Sequence, residues 1–146
     1  GMVLAAACGL WGSGHGNGVR ADKVVLVGAR DTDEAERGLL RDAGVRVVPP
    51  NLATPETILS AVGDSPVWIH LDWDALEPGY VPAAYQVPGG LLPGQLRAIF
   101  ETLPADQIVG IELAEFEAPA AEDEAKRAIV VILDTVSPIL RYSQTP

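Results

Sequence analysis

Short apolar runs with a β-branched bias alternate along this chain with segments whose apolar residues recur at helical spacing. Lys23-Val-Val-Leu-Val-Gly28 predicts a buried strand. Asp33 to Ala43 predicts a helix, in which Asp33 and Glu36 stand at capping-box spacing, Leu39 and Leu40 supply an apolar face, and Gly44 marks the end. Val45-Arg-Val-Val48 is the next strand, stopped by Pro49-Pro50. A helix then starts with Thr54 as N-cap and Pro55 at the first helical position, and ends at Gly63. Val67-Trp-Ile-His-Leu71 is a third strand, followed by a long loop to about Leu92. A helix over Pro93–Leu103 leads to a fourth strand, Gln107-Ile-Val-Gly-Ile111. Glu122 to Ile139 predicts a last helix, stopped or kinked near Pro138. Ahead of all these stand an apolar helix over Met2–Leu10 and a glycine-rich loop, Gly12 to Gly18.

Strands alternating with helices at these lengths imply right-handed crossovers and a parallel sheet. The expected fold is α/β, three-layer α/β/α with a mainly parallel sheet, and residues 1–146 form a single domain. Ligands of such sheets sit beyond the carboxyl ends of the strands. The segments after Gly28, Leu71 and Ile111 should therefore converge on one edge.

Composition narrows the partners. Hydrophobic residues make up 48% and charged residues 21% of the 146, a globular and not a disordered balance. The formal net charge of −10 excludes nucleic acid and anionic membranes as natural partners and suits small cations. No apolar run reaches the ~18 residues that span a bilayer. Cys8 is the single cysteine, so an internal disulfide is impossible and a reducing, cytoplasmic setting is expected. Cys8 lies in an apolar stretch that reads as core. The glycine-rich loop is not a dinucleotide fingerprint, because its third Gly is misplaced and no strand precedes it. Its His15 reads as a solvent-exposed side chain.

All three candidate strand ends are followed by carboxylates: Arg30-Asp31-Thr-Asp33, Asp72-Trp-Asp74-Ala-Leu-Glu77-Pro78 and Glu112-Leu-Ala-Glu115. Carboxylates crowded on one edge repel one another unless cations sit among them. In an extended segment residues two apart point the same way, so Asp72 and Asp74 can face one ion. Such hard ligands suit Mg, Mn or Ca. An Asp-x-Asp pair alone is explained as well by a solvated loop or by turn caps.

Taken together, these segments resemble the ureohydrolases, the family of arginase, agmatinase and formiminoglutamase. Ile69-His-Leu-Asp72-Trp-Asp74-Ala-Leu-Glu77-Pro78 is similar to a signature in which Asp-x-Asp-x-x-Asp-Pro closes a core strand, and Val87-Pro-Gly-Gly-Leu91 follows at family-like spacing. Val27-Gly-Ala-Arg-Asp31-Thr-Asp33-Glu-Ala-Glu36 resembles the family's Gly-x-Arg-Asp-x-Asp segment. Gly110-Ile-Glu112-Leu-Ala-Glu115-Phe-Glu-Ala-Pro119 resembles its Gly-x-Asp-x-x-Glu-x-x-Pro segment. The resemblance implies an arginase-like fold and a site with two manganese ions. Asp72 and Asp74 would be metal ligands, and Glu115 the catalytic acid that grips a substrate guanidinium. Asp33 would lie near the substrate's amine end, with Asp31 and Glu36 as accessory polar groups. In the intact family two metal ions activate a water that attacks a guanidino or formimino carbon.

The departures are as specific as the matches. Glu77 and Glu112 stand where the family usually has Asp, each one methylene longer. His70 has the strand facing of Asp72 and reads either as a packed neighbour or as a site residue. The family's remaining ligands, a His and an Asp-x-His-x-Asp segment, belong to an earlier half. Gly1-Met2 resembles the end of the family's His-Gly-Met, so the chain reads as N-terminally truncated. The reading is thus a ureohydrolase with a small cationic guanidino or formimino substrate, inactive as this piece. Its alternatives are a non-catalytic remnant or interaction subunit, and an unrelated acidic α/β domain. A sheet edge and an apolar face left open favour a homodimer or higher oligomer, with the Met2–Leu10 helix at the contact.

Overall fold

The computed structural model describes residues 2–14 and 18–140. Helix α1 (Met2–Ala7) is followed by strand β1 (Val25–Val27), helix α2 (Glu34–Asp42) and strand β2 (Arg46–Val48). Helix α3 (Pro55–Val62), strand β3 (Val67–Asp72), helix α4 (Pro93–Thr102), strand β4 (Ile108–Ala114) and helix α5 (Glu122–Leu140) complete the order. His15 lies outside the described residues.

Local chemistry explains most boundaries. Asp33 is the N-cap of α2, and its carboxylate accepts from the Glu36 amide at 2.7 Å. Thr54 does the same for α3, with Pro55 in the first turn, where a missing N–H leaves nothing unpaired. Gly44 takes a left-handed conformation past the end of α2. Helix α5 spans Glu122–Leu140, one residue past the expected end at Ile139, with Pro138 in its last described turn. Pro138 has no N–H for the Asp134 carbonyl one turn back. That oxygen instead accepts from Arg97 Nη1 at 2.7 Å and Ser137 Oγ at 3.0 Å, so the proline leaves no orphan acceptor.

Both strand pairings are parallel, as the alternation implies. They form two pairs, β1–β2 and β3–β4, and not one continuous ladder. The reason lies at the end of β1. The strand has three residues and closes at Gly28, whose amide bonds the Val48 carbonyl. Gly28 then abuts Ala75 and Leu91, the segments that follow β3 and precede α4. Those segments bridge each other in parallel at Leu76 and Leu91. The two pairs therefore meet by packing, in one cluster that includes Val48, Leu71, Trp73, Leu76, Leu91, Phe100 and Ile139. Two expectations of burial need correction. Strand β1 is half-buried, with no fully buried residue. Leu39 on α2 is 68% exposed, so only Leu40 of the leucine pair is partly covered. Cys8 is half-buried and free.

Candidate functional site

The site is built where the chain leaves β1, β3 and β4. Asp72 is the last residue of β3 and Asp74 sits in the 3-10 turn Trp73–Ala75 that follows. The extended-chain argument for the two carboxylates therefore does not hold, because the backbone turns between them. The turn brings them together by another route. Asp72 Oδ1 accepts from the Asp74 amide at 3.0 Å, capping the turn, and both residues remain half-buried. The Asp74 carboxyl is held above its ordinary range, first by burial, then by the Asp72 charge and a hydrogen-bonding contact with the Asp72 carboxyl. Arg30 opposes this rise and Glu115 adds to it. The ends of all three strands thus act on one carboxyl group.

Glu115 follows directly on β4 and is exposed. Its φ of +62° makes it the non-glycine residue in the left-handed region among the described residues. An L side chain there is strained, by about 1–2 kcal/mol. Such strain gathers at functional positions. The following segment is anchored by the Glu117 amide on the Pro82 carbonyl at 3.0 Å.

The segment after β1 contributes Arg30 and Asp31. Arg30 is half-buried, and its guanidinium reaches main-chain oxygens of Gly28, Asp74, Ala75, Leu76 and Val87. Asp31 is exposed and accepts from the hydroxyl of Tyr85 on the 77–91 loop. Tyr85 is held above its ordinary range by that hydrogen bond, by the Asp31 charge, by burial, and by the charge of Asp74. Asp33 is committed to capping α2 and lies exposed at the rim.

The two departures from the family pattern have different surroundings. Glu77 turns to its own loop, and Oε2 accepts from the amides of Gly89 at 2.6 Å and Gly90 at 2.8 Å. Gly90 is required there, because a Cβ would fall 2.4 Å from the carbonyl carbon of Leu76. Glu112 pairs across the strands with His70, Oε2 to Nδ1 at 3.0 Å, on an exposed face.

Metal chemistry fits this edge in kind, since a carboxyl such as Asp74, raised by burial and by the neighbouring Asp72, is what a cation relieves. It does not fit in number. Among the described residues no three His, Cys, Asp or Glu side chains are placed to hold a metal ion. Asp72 and Asp74 by themselves therefore do not make a metal site. Sequence reasoning quoted Arg30 only as a motif letter and missed Tyr85. A basic residue between three acidic strand ends was a usable signal for the first. The second stands inside a loop with no local pattern.

Comparison with known proteins points the same way. The model of the arginase family matches residues 4–137. The chain is 60% identical over 138 residues to the N(omega)-hydroxy-L-arginine amidinohydrolase of Streptomyces lavendulae, a match covering 94% of this chain and 50% of that protein. It is 34% identical over 134 residues to the formimidoylglutamase of Halobacterium salinarum, covering 84% of this chain and 43% of that protein. The arginase of Bacillus caldovelox superposes with a TM-score of 0.77 at 23% identity, over 99% of this chain and 52% of that one, which shows the arginase-like α/β fold. The chain spans about half the length of the curated relatives it matches.

Proposed function

The chain belongs to the arginase family, and from that premise we propose that it carries the substrate-gripping part of an amidinohydrolase site. The reaction class is hydrolysis of a guanidino or formimino carbon–nitrogen bond. Water adds to the amidine carbon and the bond to the side-chain nitrogen breaks, with a proton passing to the departing amine. From a hydroxyguanidine the products are hydroxyurea and an amine; from a guanidine, urea and an amine. The 60% match to an amidinohydrolase named for N(omega)-hydroxy-L-arginine favours that hydroxyguanidine over arginine, agmatine and formiminoglutamate.

In this reading Glu115 holds the guanidinium, from a strained left-handed backbone directly after β4. Asp31, oriented by Tyr85, and Asp33, at the rim, face the ammonium end of the substrate. Asp72 and Asp74 contribute to the binding of manganese, together with ligands beyond those described. The observation that carries the proposal is the meeting of strand ends at one turn: Asp72 caps the Asp74 amide, Arg30 binds the Asp74 carbonyl, and Glu115 follows β4, the parallel neighbour of β3.

The test is a chimera. The half of the Streptomyces lavendulae enzyme that this chain does not match is joined to residues 4–137. With manganese it should release hydroxyurea from N(omega)-hydroxy-L-arginine, and Glu115→Gln should abolish release. This chain alone should give no product above background from any of the four substrates, because its described carboxylates do not complete a metal cage. A folded but inactive chimera would favour the reading as a non-catalytic, fold-keeping protein. Turnover by the chain alone that depends on Asp74 would refute its inactivity. The same reading has the exposed Trp68 and Val109 of the β3–β4 pair covered in a homodimer. A 15.3 kDa species in light scattering would refute the dimer.

A further inference from the structure

We infer that Arg30 is the positioning residue of this site. It fixes the turn that carries Asp74 and the loop that carries Tyr85 relative to each other. Its relevance to catalysis rests on the function proposed above; the geometry does not. Arg30 is an unusual cation for an acidic edge, because all its hydrogen-bonding partners among the described residues are main-chain oxygens. Nη2 donates to the Asp74 carbonyl at 2.8 Å and the Leu76 carbonyl at 3.2 Å. Nη1 lies 3.4 Å from the carbonyls of Ala75 and Gly28. Nε donates to the Val87 carbonyl at 2.8 Å, and Nη2 bonds that same oxygen. One planar group therefore ties together the end of β1, the turn after β3 and the 77–91 loop.

The consequence reaches the functional side chains through short backbone links. The Asp74 carbonyl held by Arg30 belongs to the turn whose amide caps onto Asp72. Val87 is two residues from Tyr85, whose hydroxyl bonds Asp31, and Asp31 is the neighbour of Arg30. The 77–91 loop is also closed by Glu77 on the amides of Gly89 and Gly90, and by Leu91 N to Ala75 O at 2.9 Å. Arg30 joins this closed loop to the end of β1 through main-chain oxygens, beside the Tyr85–Asp31 bond. A lysine preserves the charge but has one nitrogen, so it cannot reach carbonyls on three segments at once. A role that is only electrostatic would survive Arg30→Lys; a positioning role would not.

The test is backbone amide hydrogen exchange on the whole chain and its variants. In Arg30→Lys and Arg30→Gln the amides of Asp74, Glu77 and Leu91 should exchange about tenfold faster or more, the order expected for loss of a charge-assisted hydrogen bond. Amides of β4 and α5 should be unchanged. Arg97→Gln serves as the stability control. Arg97 ties α4 to α5 through Asp134 and Ser137, away from the site. Arg97→Gln should leave the three site amides as they are. The proposal is overturned if those amides keep their rates in both Arg30 variants, if lysine restores them, or if Arg97→Gln accelerates them equally. Loss of the fold in both Arg30 variants would also overturn it, by making Arg30 a determinant of folding. These outcomes are read without turnover. An inactive chimera beside fast local exchange would therefore fault the functional reading and leave the positioning role standing.

Discussion

Trp68 and Trp73 come from one strand and the turn that follows it, and their surroundings are opposite. Trp73 is 2% exposed and belongs to the main cluster of buried side chains. Trp68 is 63% exposed, with its ring lying over Gly110, where a Cβ would approach the ring to 2.3 Å. The contrast extends to the regions around them. At the turn, the chain supplies its own partners: Arg30 for the carbonyls, Asp72 and Glu77 for the amides. On the strand face with Trp68, and along the outward stripe of α5 with Ile129, Val130 and Leu133, large apolar side chains lie in solvent. The site end is thus organised by interactions internal to these residues, and the outer faces are not.

The largest effect that would sharpen this contrast is Trp73→Ala. Removing a fully buried aromatic costs about 3–5 kcal/mol, a large fraction of the ~5–15 kcal/mol stability of an ordinary domain. In a monomer Trp68→Ala should shift stability by less than about 1 kcal/mol, as exposed substitutions do, and by more in the homodimer proposed above. Urea midpoints of the two variants measure both. Similar losses would mean that the Trp68 face is covered in solution, by a second copy of the chain or by another partner.

Glu115 offers the next test, with the opposite sign. Its left-handed backbone costs about 1–2 kcal/mol, and glycine adopts that conformation freely at some cost in unfolded-chain entropy. Glu115→Gly should therefore stabilise the chain by up to about 1 kcal/mol while abolishing turnover in the chimera. Loss of stability would mean that the Glu115 side chain holds the fold and has no need of a substrate.

What the sequence revealed, and what it hid, follows the same division. The caps Asp33 and Thr54 were legible because a cap is decided within four residues. The acidic edge was legible because parallel βα units put strand ends on one side. The relation of Asp74 to Asp72 was misread. It depends on the chain entering a 3-10 turn at Trp73, where burial of the indole overrides the extended pattern. The partner of the Asp134 carbonyl that Pro138 leaves without a helical donor was hidden too, since it is Arg97, which is distant in sequence. Arg30 shows the limit most plainly, because its role lies in carbonyls of three segments that no local pattern joins.

A smaller effect comes from pH. The folded-state pKa of Asp74 is raised above its ordinary 3.8, chiefly by burial and by Asp72. Between the two values the folded chain holds more protons than the unfolded one. Stability therefore falls as pH rises through that window, and stays lower above it. Asp74→Asn cannot ionise. It should be more stable than the natural chain at neutral pH, with the advantage vanishing as pH drops below the ordinary aspartate range. Urea midpoints across that range, in the presence of a chelator, give the sign. A variant less stable at neutral pH would mean that the Asp74 carboxylate has a partner that offsets its repulsion.

The smallest effect is expected at His70 and Glu112, and it decides whether His70 belongs to the site or to the outer face. The two are cross-strand partners in the β3–β4 ladder. A carboxylate only accepts, so His70 Nδ1 must carry the proton of their 3.0 Å hydrogen bond. Both side chains are about half exposed, at 51% and 57%. Exposed pairs of this kind contribute about 0–1 kcal/mol and weaken with salt. His70→Ala, Glu112→Gln and the double variant should therefore give a coupling within about 1 kcal/mol, shrinking as salt is added. In the chimera, His70→Ala should keep its turnover, because the imidazole is engaged with Glu112 on the exposed face. Loss of turnover with an unchanged urea midpoint would move His70 from the outer face into the site, and the division between the two regions would then run through β3 itself.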